Sequence, residues 1–183
     1  MTRTIIDFLV ALTIVTDVFV ITVAALWVVG KTGAGRRRWS WFRDWLAPGA
    51  LPLAWFIATV ATLGSLFLSE VAHFVPCTLC WYQRIAMYPL AIILGVAALR
   101  RDATIWRYAL PVTLVGLAVS IYHYQLEWFP EQTTIGCARD GGCTTRWIFR
   151  FGFISIPFMA GSAFTAIAVL LGIARSEPEV DHG

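Results

Sequence analysis

The residues best equipped for chemistry lie in one run, Pro76-Cys77-Thr78-Leu79-Cys80-Trp81-Tyr82-Gln83-Arg84. Two cysteines separated by two residues can close into a small disulfide and reopen, so the pair can hold or release two electrons. The run sits where a polar stretch turns into an apolar one, and Pro76 suits the start of a helix. A helix amino end carries partial positive charge and stabilises a thiolate, the reactive form of cysteine. Cys80 and Arg84 are four apart and share one helix face. A guanidinium there favours the thiolate further. It could also hydrogen-bond the oxygen of a quinone and stabilise charge as that ring is reduced. The bland alternative, an Arg84 that only snorkels to headgroups, leaves the cysteine spacing beside it unexplained.

A second pair, Cys137 and Cys143, lies among Gly136, Gly141 and Gly142. The glycines give the backbone freedom for a tight, mobile turn. A disulfide there is either a structural staple or a mobile, exposed bond that a soluble thiol enzyme could attack. His123 stands in Tyr122-His123-Tyr124-Gln125. A histidine in a membrane helix faces the bundle and bonds something; it could donate to a quinone oxygen, relay a proton, or make a structural hydrogen bond. His73 is expected to be solvated in a loop.

The elements that position these residues follow from solvent. Of 183 residues, 58% are hydrophobic and 14% charged, and the mean hydropathy is +0.72. Soluble domains are about a quarter charged. Long apolar stretches separated by clustered charges are the pattern of a multi-span membrane protein. Arginine supplies almost all of the positive charge, and no basic stripe with interleaved aromatics suggests nucleic acid. Five segments are apolar enough to span, near Ile5–Val29, Leu51–Leu68, Trp81–Leu99, Tyr108–Leu126 and Phe151–Ile173. Lys31, Arg36, Arg37, Arg38 and Arg43 follow the first, Arg100, Arg101 and Arg107 the third, and Arg175 the fifth. If the spans alternate, all of these share one side, which the positive-inside rule makes cytoplasmic. The amino terminus and both cysteine segments are then outside and the carboxyl terminus inside. The first span is read as a retained helix rather than a cleaved signal, because it is long and interrupted by Asp17. Asp17 is either packed against a neighbour or handles protons. Tryptophans near the span ends, Trp147 among them, form an interfacial belt. The tail Ser176–Gly183 is expected to be disordered.

Cys77-Thr78-Leu79-Cys80-Trp81-Tyr82-Gln83-Arg84 resembles the signature of the DsbB/BdbC family of disulfide-bond formation proteins, Cys-x-Leu-Cys-x-x-Gln/Glu-Arg. Tyr122-His123 and Phe151-Gly152-Phe153-Ile154-Ser155-Ile156-Pro157-Phe158-Met159 are similar to its BdbC branch. The resemblance covers about residues 50 to 174. It implies an all-α integral membrane four-helix bundle over residues 50–175. To this the chain adds an extra N-terminal transmembrane helix with a basic cytoplasmic loop over 1–49, and the tail 176–183. The implied function is a protein-disulfide oxidoreductase of the cell inner or plasma membrane. It would reoxidise a soluble or tethered thioredoxin-fold, DsbA-like thiol oxidase and deliver the electrons to ubiquinone or menaquinone. By the same resemblance, Cys80 lies against the quinone, Cys77 exchanges with the loop pair, and the partner attacks Cys137. Cys143 then forms the inter-loop disulfide with Cys77. Arg84, His123 and Gln83 are the implied quinone contacts. Two features depart from the pattern. The loop cysteines are closer together than in the DsbB branch, and the helix before residue 50 is additional.

Rival interpretations make distinct demands. A zinc site needs the four cysteines as ligands, in a compartment that oxidises them. Quinone-linked oxidases of the VKOR type place the loop pair before the membrane Cys-x-x-Cys, the reverse of the order here. A non-enzymatic scaffold stapled by two disulfides has no use for Arg84. A haem protein would have to take a ligand, His73, from a loop.

Overall fold

The five apolar stretches are helices in the computed structural model, which describes residues 2–33, 35–132, 137 and 142–175. The expectations for Gly136, Gly141 and the tail Ser176–Gly183 lie outside the described residues. The helices are α1 (Thr2–Gly30), α2 (Arg36–Leu66), α3 (Thr78–Arg100), α4 (Trp106–Trp128) and α5 (Ile156–Ala174). All five are long and apolar enough to cross a membrane. Helix is what lipid demands, because it satisfies every backbone polar group within the segment. Among the described residues, pairing of strand type is confined to an isolated bridge between Arg150 and Ile154.

Two boundaries differ from expectation. Helix α2 begins at Arg36, well before Leu51, so much of the expected basic loop is helical. Hydropathy marks the part of a helix at membrane depth and is blind to an amphipathic turn lying ahead of it. In Arg36–Ala47, Trp39 and Phe42 pack onto the core while Trp41 and Trp45 are exposed. Pro48 and Pro52 sit inside α2 without ending it, as prolines in membrane helices can when neighbours compensate the freed backbone. Helix α5 starts at Ile156 rather than Phe151. Arg150 and Ile154 exchange both backbone hydrogen bonds at 2.9 Å, closing a turn in which Phe151 has φ of 54°. Pro157 occupies the first turn of α5, where its missing N–H costs nothing.

The core lies where α2, α3, α4 and α5 meet. Helix α2 contributes the fully buried small residues Ala50, Ala54 and Ala58, spaced four apart on one face. Small residues let membrane helices approach closely, which matters where lipid supplies no hydrophobic drive between them. Leu90 and Leu94 of α3 and Phe164, Ile167, Leu170 and Leu171 of α5 fill the space between. On α4, Gly116 is a point of direct approach: a Cβ there would run into the ring of Phe164. Helix α1 packs on α2 and α5 and leaves Phe8, Val15, Val18, Ile21 and Val28 exposed, the face a lipid would cover.

The two ends of the bundle are chemically distinct. Arg175 stacks over Trp106, 5.7 Å from its centroid, so the end of α5 and the α3–α4 turn share one end. Arg150 donates to Asp7 at 2.7 Å, which places the start of α1 at the other end, with the segment that follows α4.

Candidate functional site

At that second end, α2 finishes in a π-helical turn, Phe67–Val71, and the chain crosses to α3 through Pro76. Cys77 caps α3: its backbone is extended (φ −76°, ψ 173°) and its Sγ accepts from the Cys80 N–H at 3.4 Å. The amino-end position inferred from Pro76 is therefore the position found. Cys77 and Cys80 are free thiols with sulfurs 3.2 Å apart.

His123 reaches this pair from α4. Its Nε2 lies 3.6 Å from Cys77 Sγ and its Nδ1 lies 3.4 Å from Gln83 Nε2. The ring therefore bridges the two residues, one nitrogen facing the Cys77 sulfur and the other the Gln83 amide. Cys77, Gln83 and His123 are all buried. The Cys77 thiol is held well below the ordinary thiol range. The hydrogen bond with Cys80 does most of this and burial opposes it, with the His123 hydrogen bond, the His123 charge and the Cys80 N–H adding to the lowering.

Arg84 is buried and anchored rather than free at the headgroups. Its Nε donates to Ser65 Oγ and its Nη2 to the Ser65 carbonyl, both at 3.0 Å, and its guanidinium lies 5.3 Å from the Trp81 ring centroid. A cavity of about 180 Å³ opens beside it, bounded by α1, α2, α3 and α5, with Cys80, Gln83 and Arg84 on its wall. His123 belongs elsewhere. It projects from α4, which supplies no residue to this cavity, and it meets Cys77.

The loop pair is bonded: Cys137 and Cys143 form a disulfide with Cα atoms 5.7 Å apart. Both are buried, at 6% and 1% exposure, so of the two alternatives left open by the sequence the exposed bond is not the one found. The reason is that the disulfide packs into one apolar cluster with Cys77, Leu79 and Leu126. A stack of Phe74 on Trp147, centroids 5.1 Å apart, clips the segment before α3 to the segment after α4. Trp147, expected only as an interfacial residue, also lines the cavity. His73 is exposed, as expected.

Glu127 was missed by sequence reasoning. It is buried, its Oε2 has no hydrogen-bond partner, and it interacts with His123, Arg146 and Ser155. The Arg146 guanidinium donates to its backbone carbonyl. The signal was available: His123 and Glu127 are four apart and so share a helix face. Ligand atoms of Cys77, Cys80 and His123 also lie within 4.8 Å of one another, a three-donor set of the kind that binds zinc. The four-cysteine version of a metal site is not formed, because Cys137 and Cys143 are bonded to each other.

The family model for "Disulfide bond formation protein DsbB" matches residues 48–174. Disulfide bond formation protein C of Bacillus subtilis is 42% identical over 125 residues, 68% of this chain and 91% of that protein. A probable disulfide formation protein of Oceanobacillus iheyensis is 48% identical over 126 residues, 68% of this chain and 87% of that protein. No solved structure matches.

Proposed function

This chain belongs to the DsbB family of disulfide bond formation proteins, and on that premise we propose that it carries electrons from an extracytoplasmic thioredoxin-fold dithiol to a membrane quinone. The observation that carries the proposal is the division of the Cys77–Cys80 pair between two environments. Cys77 packs with the loop disulfide, whereas Cys80 borders the cavity beside Arg84. One pair can therefore take electrons on one side and give them up on the other.

The exchange runs in three balanced steps. The partner's two thiols reduce Cys137–Cys143 and leave as a disulfide. The two loop thiols then reduce a Cys77–Cys80 disulfide and close again. Last, the Cys77 and Cys80 thiols lose two electrons and two protons to the quinone, reforming their disulfide and yielding a quinol. Each sulfur–sulfur exchange needs an attacking thiolate. In the second step the attacking thiolate is a loop cysteine, Cys77 is the sulfur attacked, since it packs against the loop pair, and Cys80 leaves as the thiolate. Cys137 is the cysteine the partner attacks. Since it is buried, partner docking must displace the apolar cover around it.

The residues around the cavity fit a quinone. The walls are mainly apolar, as a flat ring and isoprenoid tail require. Arg84 spends Nε and one N–H of Nη2 on Ser65, leaving further donors of its five for a ring oxygen, and the Gln83 amide stands beside it. When bound, the quinone supplies the oxidising power. The chain's task is to align Cys80 with it, offer positive charge where negative charge develops and exclude water. His123 and Glu127 are the proton-holding groups on the Cys77 side. The cysteine end faces out of the cytoplasm and the arginine-rich end faces in, which the positive-inside rule supports.

The test is quinone absorbance in detergent with a reduced thioredoxin-like dithiol. Wild type is expected to reduce quinone, Cys80→Ser not to, and Arg84→Met to be impaired. A wild-type protein inert with several quinones and dithiols would sink the proposal. A second possibility rests on the Cys77–Cys80–His123 donor set, which could hold a structural metal in a stapled scaffold. Stoichiometric zinc in the purified protein would favour it over electron transfer.

A further inference from the structure

Helix α1 lies outside the residues matched by the family, 48–174. The Bacillus subtilis relative is already aligned over 91% of its length, which leaves it too little chain for such a helix. Yet α1 supplies a wall of the cavity beside Cys80. Leu9, Leu12, Thr13 and Thr16 line it, and their spacing of three, four and seven from Leu9 is one face of one helix.

That face is held in place. Arg150 grips Asp7 at the outer end of α1. Further down, Ser162 of α5, itself on the cavity wall, is the polar partner of Asp17. At the rim, α1 and α2 touch through Gly64: a Cβ there would stand 3.0 Å from Leu9 Cδ2, so a larger residue would have to push the end of the Leu9 side chain aside. Thr13 donates its hydroxyl to the Leu9 carbonyl within its own helix at 2.9 Å.

We propose that the Leu9–Leu12–Thr13–Thr16 face of α1 is the outer wall of the quinone site, built by this chain in addition to its family's four helices. It closes the side between α2 and α5 that would otherwise face lipid, and selects among quinones by the size of their ring substituents. The inference rests on the quinone reading above. Selection is by shape at Leu9, Leu12 and Thr13, whose hydroxyl its own backbone engages; the Thr16 hydroxyl is the side-chain donor left on this wall.

The experiment is photolabelling of the full-length wild-type protein in detergent with a quinone carrying an azide on its ring, followed by peptide mapping. Label is expected within residues 9–16 as well as in α3. Label confined to α2, α3 and α5 overturns the inference. A second measurement uses Thr13→Phe, which narrows the cavity. Its KM for a fully substituted benzoquinone should rise on the order of tenfold or more, and for an unsubstituted one much less, as pocket discrimination of a few carbon atoms allows. Equal KM changes for both quinones also overturn it. Wild type that neither reduces nor is labelled by any quinone defeats the electron-acceptor proposal itself. Wild type that reduces quinone but carries no label in α1 defeats the α1 wall alone.

Discussion

Replacing His123 by leucine should raise the pKa of Cys77 by about one to two, at about 1.36 kcal/mol for each. His123 Nε2 lies 3.6 Å from the sulfur. At that distance a full charge pair attracts by roughly 4–5 kcal/mol with an effective dielectric near 20, which is an upper bound. A hydrogen bond to a charged group nets about 1.5–3 kcal/mol, and this sets the expected range. The sign follows from the direction in which the thiol is held. Cys77 is held low, so its thiolate persists as pH falls below the ordinary thiol range and is lost only on passing the lowered pKa. Without His123 that loss moves to higher pH. The clean background is Cys80→Ser, Cys137→Ser, Cys143→Ser, in which Cys77 is the only one of the four cysteines left. The alkylation rate of Cys77 is then followed against pH with and without His123→Leu. Well below both midpoints, a pKa higher by one lowers the thiolate fraction about tenfold, partly offset by the greater nucleophilicity of the more basic thiolate. Profiles whose midpoints agree within about 0.3 pH, and so under ~0.4 kcal/mol, would refute the assignment of His123 to Cys77.

Three further outcomes are expected. Arg84→Met should raise the quinone KM or lower kcat by about ten- to a hundredfold, the scale of a lost charge-assisted donor. Arg84→Lys should recover little, since one ammonium cannot span both Ser65 acceptors; full recovery in steady-state kinetics would show that charge alone matters. Gly116→Leu should destabilise the bundle by about 1–3 kcal/mol through overpacking against Phe164, read as a lower unfolding midpoint in detergent; an unchanged midpoint would mean the α4–α5 contact is not tight. Trp147→Ala should cost about 0.5–1.5 kcal/mol of stacking on Phe74 and increase protease access to residues 142–150. Unchanged cleavage there would show that the clip is dispensable.

Much of the architecture was legible because it answers to local rules. A bilayer imposes length and apolarity on each span separately, so five stretches could be counted without knowing how they pack. The helix start before Cys80, the shared face of Cys80 and Arg84, and the pairing of Cys137 with Cys143 depend on residues close in sequence. Boundaries failed where a local property changed without the helix changing, as in Arg36–Ala47, or where the chain turned before helix began, at Phe151.

The sequence by itself determined the five spans, the two cysteine pairs and the arginine set against one of them, since covalent spacing and helix periodicity act within a few residues. Only the tertiary structure decided which way each of these groups faces. Cys77 turns to the loop disulfide and Cys80 to the cavity. His123 meets Cys77 rather than the cavity, Glu127 is buried beside it, and the loop disulfide is covered. Helix α1 becomes a wall of the cavity. Each of these depends on contacts between segments tens of residues apart, where the outcome is set by how whole helices pack and not by any residue's own preference.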